Sequence, residues 1–93
     1  MINSISLEEY KKLCHAYIVM MVQGLVDDPS AVRVEVSAKD ANTTLFEIYS
    51  SNKSDIGHII GRRGRNAEAI RTLAYSFTTK FKFKSCVEIC EQV

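Results

Sequence analysis

The sequence contains few of the residues that build metal centres, disulfide frameworks or rigid loops. Among 93 residues there are one proline, no tryptophan and three cysteines. Cys14, Cys86 and Cys90 are odd in number and lack the C-x-x-C spacing of zinc and redox sites. Sparse cysteines of this kind are typical of proteins in a reducing compartment, where free cysteines act as small apolar core residues. We therefore predict a cytoplasmic protein without a metal site.

Long hydrophobic runs are also missing, which argues against a membrane span or an export signal. The longest apolar stretch, residues 16–26, is interrupted by Gln23 and Gly24 and is too short to cross a bilayer. The letters DDPS follow it, where a signal peptide would carry a small-residue cleavage site. We interpret this stretch as part of a buried helix.

Charge is distributed unevenly along a chain whose net charge is only +1. Residues 1–55 carry five Lys/Arg and eight Asp/Glu, a net of −3, whereas residues 56–93 carry seven and three, a net of +4. A basic half favours an anionic partner, although a solvated charged surface is the alternative.

The first half of the chain predicts a helix followed by a β-hairpin. Ser6 and Glu9 form a capping box for a helix over residues 7–26, and Pro29 is expected to end it. Alternating residues predict strands over 31–37 and 43–50, joined by a turn over 39–42. The apolar residues that we expect to face the core are Val32, Val34 and Val36 in the first strand and Phe46 and Ile48 in the second, with Leu45 and Tyr49 as the alternative pair.

The second half predicts two helices and a last strand. After a loop over 50–54, Asp55 is expected to cap a short helix over 56–60, and a glycine-rich turn follows at 61–64. One face of the next helix carries Ala67, Ile70, Leu73, Ala74, Phe77 and Phe81, and the strand within 81–93 places Phe83, Val87 and Ile89 on one side. The order α-β-β-α-α-β predicts one α+β domain over residues 1–93, with helices covering one face of a three-stranded sheet.

Three of the four glycines and four of the five arginines lie between Asp55 and Leu73. Their spacing matches neither the phosphate-binding loop of nucleotide hydrolases nor the dinucleotide-binding fingerprint. What remains is a G-x-x-G turn, Gly61 to Gly64, at the start of a helix, where backbone N–H groups attract anions. Arg62 and Arg63 must point outward from so tight a turn, and Arg65 adds a third charge that can hold phosphate.

The segment IIGRRGRNAEAIRTL, residues 59–73, resembles the G-x-x-G signature of KH domains, whose loop clamps about four nucleotides of single-stranded RNA. Together with the lead-in DIGH before it, it is similar to the KhpA family of small bacterial KH proteins, and the element order matches the type II KH fold. The resemblance implies an RNA site formed by Ile60, Gly61, Arg62, Arg63, Gly64, Arg65, Asn66 and Arg71.

The same resemblance implies partners but no cofactor. Expected partners are single-stranded RNA and a second KH protein, either another copy of this chain or a larger multidomain protein of the KhpB/Jag type. The implied role is post-transcriptional control of cell elongation and division. Tyr17, Met20, Met21 and Val22 give the first helix more apolar surface than a core face needs, which favours a protein partner.

Two other functions remain open at this stage. The KH fold could serve as a protein-interaction or dimerisation subunit, or it could belong to an RNA-binding factor of the ribosome-assembly type. The charged turn argues for an active RNA site in either case. No nucleophile–base pair, paired acids at the turn or metal-ligand spacing points to catalysis, so we predict that the chain is not an enzyme. One departure from the family pattern is SSNKS, residues 50–54, which replaces a short proline-bearing loop.

Overall fold

A computed structural model describes residues 6–79 and 83–91. Its helices are α1 (Leu7–Gln23), α2 (Ile56–Ile60) and α3 (Arg65–Thr78), and its strands are β1 (Val32–Asp40), β2 (Thr43–Ser50) and β3 (Lys84–Ile89). Short 3-10 turns occur at Pro29–Ala31, Lys53–Asp55 and Arg62–Gly64. The predicted order and the α+β class are confirmed. In the described part of the chain, no helix is both long enough and apolar enough to cross a membrane.

The three strands form one mixed sheet in the order β1-β2-β3. Strands β1 and β2 are antiparallel, as the hairpin prediction requires, and the turn between them is tighter than predicted because β1 continues to Asp40. A carboxylate oxygen of Asp40 accepts a hydrogen bond from the Asn42 N–H at 2.9 Å and closes this turn. Strands β2 and β3 are parallel, so the chain between them must cross back over the sheet. Helices α2 and α3 form that crossover.

The core lies between the sheet and the helices. Phe46 and Ile48 of β2 are fully buried against Ile18 and Val22 of α1 and Ile59 of α2. The predicted inward facing of Phe46 and Ile48 is therefore correct. The alternative pair, Leu45 and Tyr49, is half-buried on the open face of the sheet.

Helix α1 begins with the predicted capping box, in which the Ser6 hydroxyl accepts from the Glu9 N–H at 3.2 Å. It ends at Gln23, however, rather than at residue 26. Gly24 is the C-cap, and the chain leaves the helix there because glycine stabilises a helix poorly. Pro29 starts the following 3-10 turn and does not end α1.

Two apolar side chains predicted to face the core are exposed instead. Val36 is 44% exposed, because it borders a cavity beside the first turns of α1, whereas Val34 is buried as predicted. Leu73 is 54% exposed because it borders an open groove between α1 and α3, whereas Ile70 and Ala74 are buried. Phe81, assigned to the same helix face as Leu73, lies outside the described residues.

The three cysteines are free thiols. Cys14 is buried in the core, and burial raises the pKa of its thiol to about 11, so the thiol stays protonated near neutral pH. The predicted core role is correct for Cys14 alone. Cys86 is half-buried in β3, on the side of the sheet that the helices do not cover, and Cys90 is half-buried directly after β3.

A row of three glutamates crosses the open face of the sheet. Glu35 of β1 is directly opposite Glu47 of β2, which in turn is opposite Glu88 of β3. Arg33 binds Glu35 at 2.9 Å, but Glu47 has no cationic partner among residues 6–79 and 83–91. A side-chain hydrogen bond with Cys90 raises the pKa of nearby Tyr49, and burial and the charges of Glu47 and Glu35 raise it further. Like charges directly opposite each other destabilise a sheet.

Replacing Glu47 with Gln should therefore stabilise the fold, because the middle charge of the row is removed while the side chain keeps its size. We expect the free energy of unfolding in denaturant to rise by about 0.5 kcal/mol, and the gain to shrink at high salt, which screens charges. Glu68→Gln on α3 is the matched control, since Glu68 is exposed and outside the row. Equal effects of the two substitutions would contradict repulsion within the row.

Candidate nucleic-acid interface

The turn between α2 and α3 reverses the chain through three left-handed residues. Gly61, Arg63 and Gly64 have φ values of +79°, +59° and +74°. The Gly61 N–H donates to the Gly57 carbonyl at 2.8 Å and completes α2, and the Gly64 N–H donates to the Gly61 carbonyl at 3.0 Å. These bonds bring the end of α2 directly to the beginning of α3.

Gly61 is required by its conformation and by its neighbour. A Cβ at this position would lie 2.6 Å from Cγ of Asn66. Asn66, which the sequence assigned to the RNA site, packs against the turn and donates from its amide nitrogen to the His58 carbonyl at 2.8 Å. The structure therefore gives Asn66 a supporting contact that joins α3 to α2.

Gly64 and Arg63 differ from Gly61, because no neighbouring side chain dictates their conformation. A Cβ at Gly64 would meet no heavy atom within 4 Å, so only the positive φ favours glycine and the space above the backbone is open. Arg63 is the one residue other than glycine with positive φ in the described part of the chain. A side chain in this region costs about 1–2 kcal/mol. The turn thus holds an arginine in an unfavourable conformation.

The charged side chains of the turn are available to a ligand. Arg62, Arg63 and Arg65 are exposed, and within the described ranges none of them forms a hydrogen bond or ion pair through its side chain. Gly64, the N-cap of α3, has no side chain to accept from the first-turn N–H groups. Three exposed arginines therefore lie at or beside the positive end of a 14-residue helix, an arrangement that attracts anions.

Ile60 is the one apolar side chain of the predicted site. Ile59 is fully buried in the core and cannot contact a ligand, whereas Ile60 is half-buried beside Gly61. Of the two neighbouring isoleucines, only Ile60 can line a groove next to the turn.

Arg71 is separated from the turn by two helical turns of α3. Its Nε donates to the Val87 carbonyl of β3 at 3.0 Å. The side chain therefore joins α3 to the last strand, and the guanidinium is exposed at the sheet edge rather than gathered with Arg62 and Arg63. Lys84, the first residue of β3, is also exposed.

Asp55 has a role that the sequence did not predict. Its carboxylate makes no capping hydrogen bond to α2 and is completely buried. Its two oxygens accept from the N–H groups of Asp27 and Asp28, both at 3.0 Å, in the connection between α1 and β1. An Asp directly before a helix is ordinarily read as an N-cap, and no local pattern identifies a partner 27 residues away.

His58 adds a second contact with the same connection. Its Nε2 lies 3.6 Å from a carboxylate oxygen of Asp27. Ligand atoms of Asp27, Asp55 and His58 lie within 4.8 Å of one another. Because both oxygens of Asp55 already accept backbone N–H groups, protein contacts account for this cluster, and we describe it as a junction between α2 and the connection.

Comparisons with known proteins agree with the fold. The sequence pattern of the KH domain of KhpA and KhpB matches residues 15–89. The chain is 37% identical over 76 residues to the protein named RNA-binding protein KhpA of Chlamydia trachomatis, covering 82% of this chain and 95% of the relative. It is 39% identical over 74 residues to the protein of that name from Listeria monocytogenes, covering 80% and 95%.

A solved structure supports the architecture independently of sequence. A crystal structure of Era from Aquifex aeolicus bound to GDP and AlF4− superposes with a TM-score of 0.59 at 18% identity. The match covers 83% of this chain and 29% of the Era chain, so it concerns the fold alone. With the G-x-x-G turn between two helices, the α-β-β-α-α-β order and the match over residues 15–89, the chain belongs to the KhpA/KhpB family of KH-domain proteins.

Proposed function

We propose that this chain is a single, non-catalytic KH domain that binds single-stranded RNA at the turn Gly61–Gly64. The observation that carries the proposal is the geometry of the turn. One open backbone position, Gly64, and three exposed, unpaired arginines lie at the start of α3. Such a site suits a sugar–phosphate backbone, because phosphate contacts position a nucleic acid without reading its sequence. The relatives' name, RNA-binding protein, points to the same ligand.

The proposed residues have different parts in binding. Arg62, Arg63 and Arg65 hold phosphates. Gly64 lets the RNA backbone approach, Gly61 gives the turn its shape beside Asn66, and Ile60 offers an apolar contact for a base. Asn66 supports the turn, and Arg71 contributes charge at the sheet edge. We place this activity in the cytoplasm, where free thiols persist. We assign it to post-transcriptional control of cell elongation and division, which the family resemblance implies.

A protein partner is the second part of the proposal. Tyr17 and Met20 of α1 are 51% and 61% exposed, as the predicted apolar surplus requires. Val22, which was predicted to belong to the same surface, is buried in the core and cannot contact a partner. Between α1 and α3 lies an apolar groove of about 430 Å³, lined by Cys14, Tyr17, Ile18, Met21, Leu73, Ala74 and Phe77. None of the described residues that line it is charged, which suits a second KH domain: another copy of this chain or a KhpB/Jag-type protein.

Reversing the charge of the turn should abolish RNA binding. The double variant Arg62→Asp/Arg63→Asp places two carboxylates where phosphates bind, so we expect affinity for a short fluorescent single-stranded RNA to fall by more than about tenfold at physiological salt. Fluorescence anisotropy measures the affinity, and circular dichroism checks that the variant is folded.

The matched control is Lys12→Asp/Lys39→Asp, which makes the same change of net charge at two exposed positions outside the turn. It should retain most of the affinity. Binding by the parent protein should also weaken with salt, with a log–log slope of roughly −2 to −3.5 for three to five phosphate contacts. Unchanged binding by the folded turn variant would show that RNA does not bind at Gly61–Gly64.

Arg63→Asn should separate stability from binding. Asparagine tolerates the left-handed region better than arginine, so we expect the free energy of unfolding to rise by about 0.5–1 kcal/mol while RNA affinity falls. Arg62→Asn is the control, because Arg62 has a negative φ. It should lose affinity without gaining stability. Equal stability of the two variants would mean that the conformation of Arg63 carries no cost.

Dimerisation should depend on the groove between α1 and α3. One KH site binds few nucleotides, and pairing two sites raises the apparent affinity without new contacts. We expect analytical ultracentrifugation at micromolar concentrations to detect a dimer, alone or with a larger KH protein, that Leu73→Glu disrupts. Tyr75→Glu is the control, since Tyr75 is exposed on the same helix but does not line the groove. A monomer that ignores every candidate partner would disprove this part.

A further inference from the structure

We propose that Asp55 is a positioning residue for the RNA site: it fixes α2, and with it the turn Gly61–Gly64, to the connection between α1 and β1. The inference rests on the proposed function, because the ligand is the RNA assigned to that turn. Asp55 itself is completely buried and does not contact the ligand.

The need for such a residue follows from the length of α2. Its five residues, Ile56–Ile60, are too few to form a stable helix without tertiary contacts. The turn begins at the next residue, so any movement of α2 moves the arginines. Apolar packing of Ile56 and Ile59 anchors one side of α2. Packing of this kind is not directional, so it does not by itself fix the orientation of the helix.

Asp55 supplies the directional contact. Each of its oxygens accepts one backbone N–H, from Asp27 and from Asp28, at 3.0 Å. Hydrogen bonds to a carboxylate are stronger than those between neutral groups, and a bidentate pair also fixes orientation. The contact of His58 with Asp27 lies on the next turn of α2 and adds to the same attachment.

The other end of the turn is attached separately. Asn66 donates to the His58 carbonyl and fills the space beside Gly61, so α3 is held against α2. The Asp55 contact holds α2 against the rest of the domain, and the Asn66 contact holds α3 against α2. Together these two contacts hold the backbone of the turn, which carries the three arginines, from both sides.

The substitution Asp55→Asn tests the proposal, because two effects of it have opposite signs. Removing a negative charge close to a phosphate site should by itself strengthen RNA binding. Replacing one acceptor oxygen with an amide group breaks one of the two hydrogen bonds and should loosen α2. If Asp55 positions the turn, we expect RNA affinity to fall roughly threefold to tenfold, the size of coupling within one hydrogen-bonded network.

Asp28→Asn is the matched control. It removes a charge from the same connection but keeps the Asp28 N–H, which donates to Asp55. It also keeps a side-chain oxygen that can accept the hydrogen bond that the Ser30 hydroxyl donates at 2.7 Å. Its affinity should stay unchanged or rise. All measurements are made well below the unfolding temperature of each variant, so that the folded fraction is the same.

A double-mutant cycle distinguishes positioning from a general loss of stability. Asp55→Asn is combined with Arg62→Asn/Arg63→Asn, and residual binding is measured at low salt. If Asp55 acts through the arginines, its substitution should cost little once they are gone. The proposal is overturned if Asp55→Asn binds RNA as tightly as the parent protein, or if the losses simply add. If the arginine variants lose binding but Asp55→Asn does not, the RNA site at the turn is supported and only the role of Asp55 is rejected.

Amide hydrogen exchange in the parent protein provides a second test that needs no substitution. The N–H groups of Asp27 and Asp28 report the Asp55 contact, and the Gly61 N–H, bonded to the Gly57 carbonyl, reports the end of α2. We expect these amides to share one opening free energy, smaller than that of the Cys90 N–H, which donates to the Ile48 carbonyl of β2. Much faster exchange at Gly61 than at Asp27 and Asp28 would mean that the turn moves while the contact is intact, and would reject the proposal.

Discussion

Parallel pairing of β2 with β3 is the constraint on which the arrangement of this domain depends. Two parallel neighbours cannot be joined by a tight turn, so the chain must return along one face of the sheet. Here the return is divided between α2 and α3, and its reversal is the turn at Gly61–Gly64. The site is therefore the corner of an obligatory crossover, and its backbone is held by elements that the sheet needs in any case.

The corner combines residues that serve the fold with residues that weaken it. Gly61 and Asn66 fit together so closely that a single Cβ would disturb the contact. Arg63 does the opposite: it occupies a left-handed conformation that glycine or asparagine would adopt at lower cost. An unfavourable backbone conformation at an exposed arginine is understandable if the side chain is needed there for a ligand.

Charge is separated between two surfaces of the molecule. The turn presents unpaired arginines, whereas the open face of the sheet carries the glutamates at positions 35, 47 and 88 in one row. A polyanion is attracted to the first surface and repelled by the row on the second. The near-zero net charge of the whole chain conceals this separation, which appears only when the strands are placed in register.

Local patterns in the sequence determined much of this protein, because helix caps, strand alternation and glycine turns act over a few residues. The capping box at Ser6, the bounds of β2 and the charged turn could be read directly, and the family followed from the turn and its flanking helices. Contacts between distant segments were decided only by the tertiary structure. Leu73 and Val36 are exposed because of what the neighbouring elements leave uncovered. Asp55 looks locally like a helix cap but binds the connection between α1 and β1, 27 residues away. The N–H groups of that connection need an acceptor, and only the folded chain brings one to them.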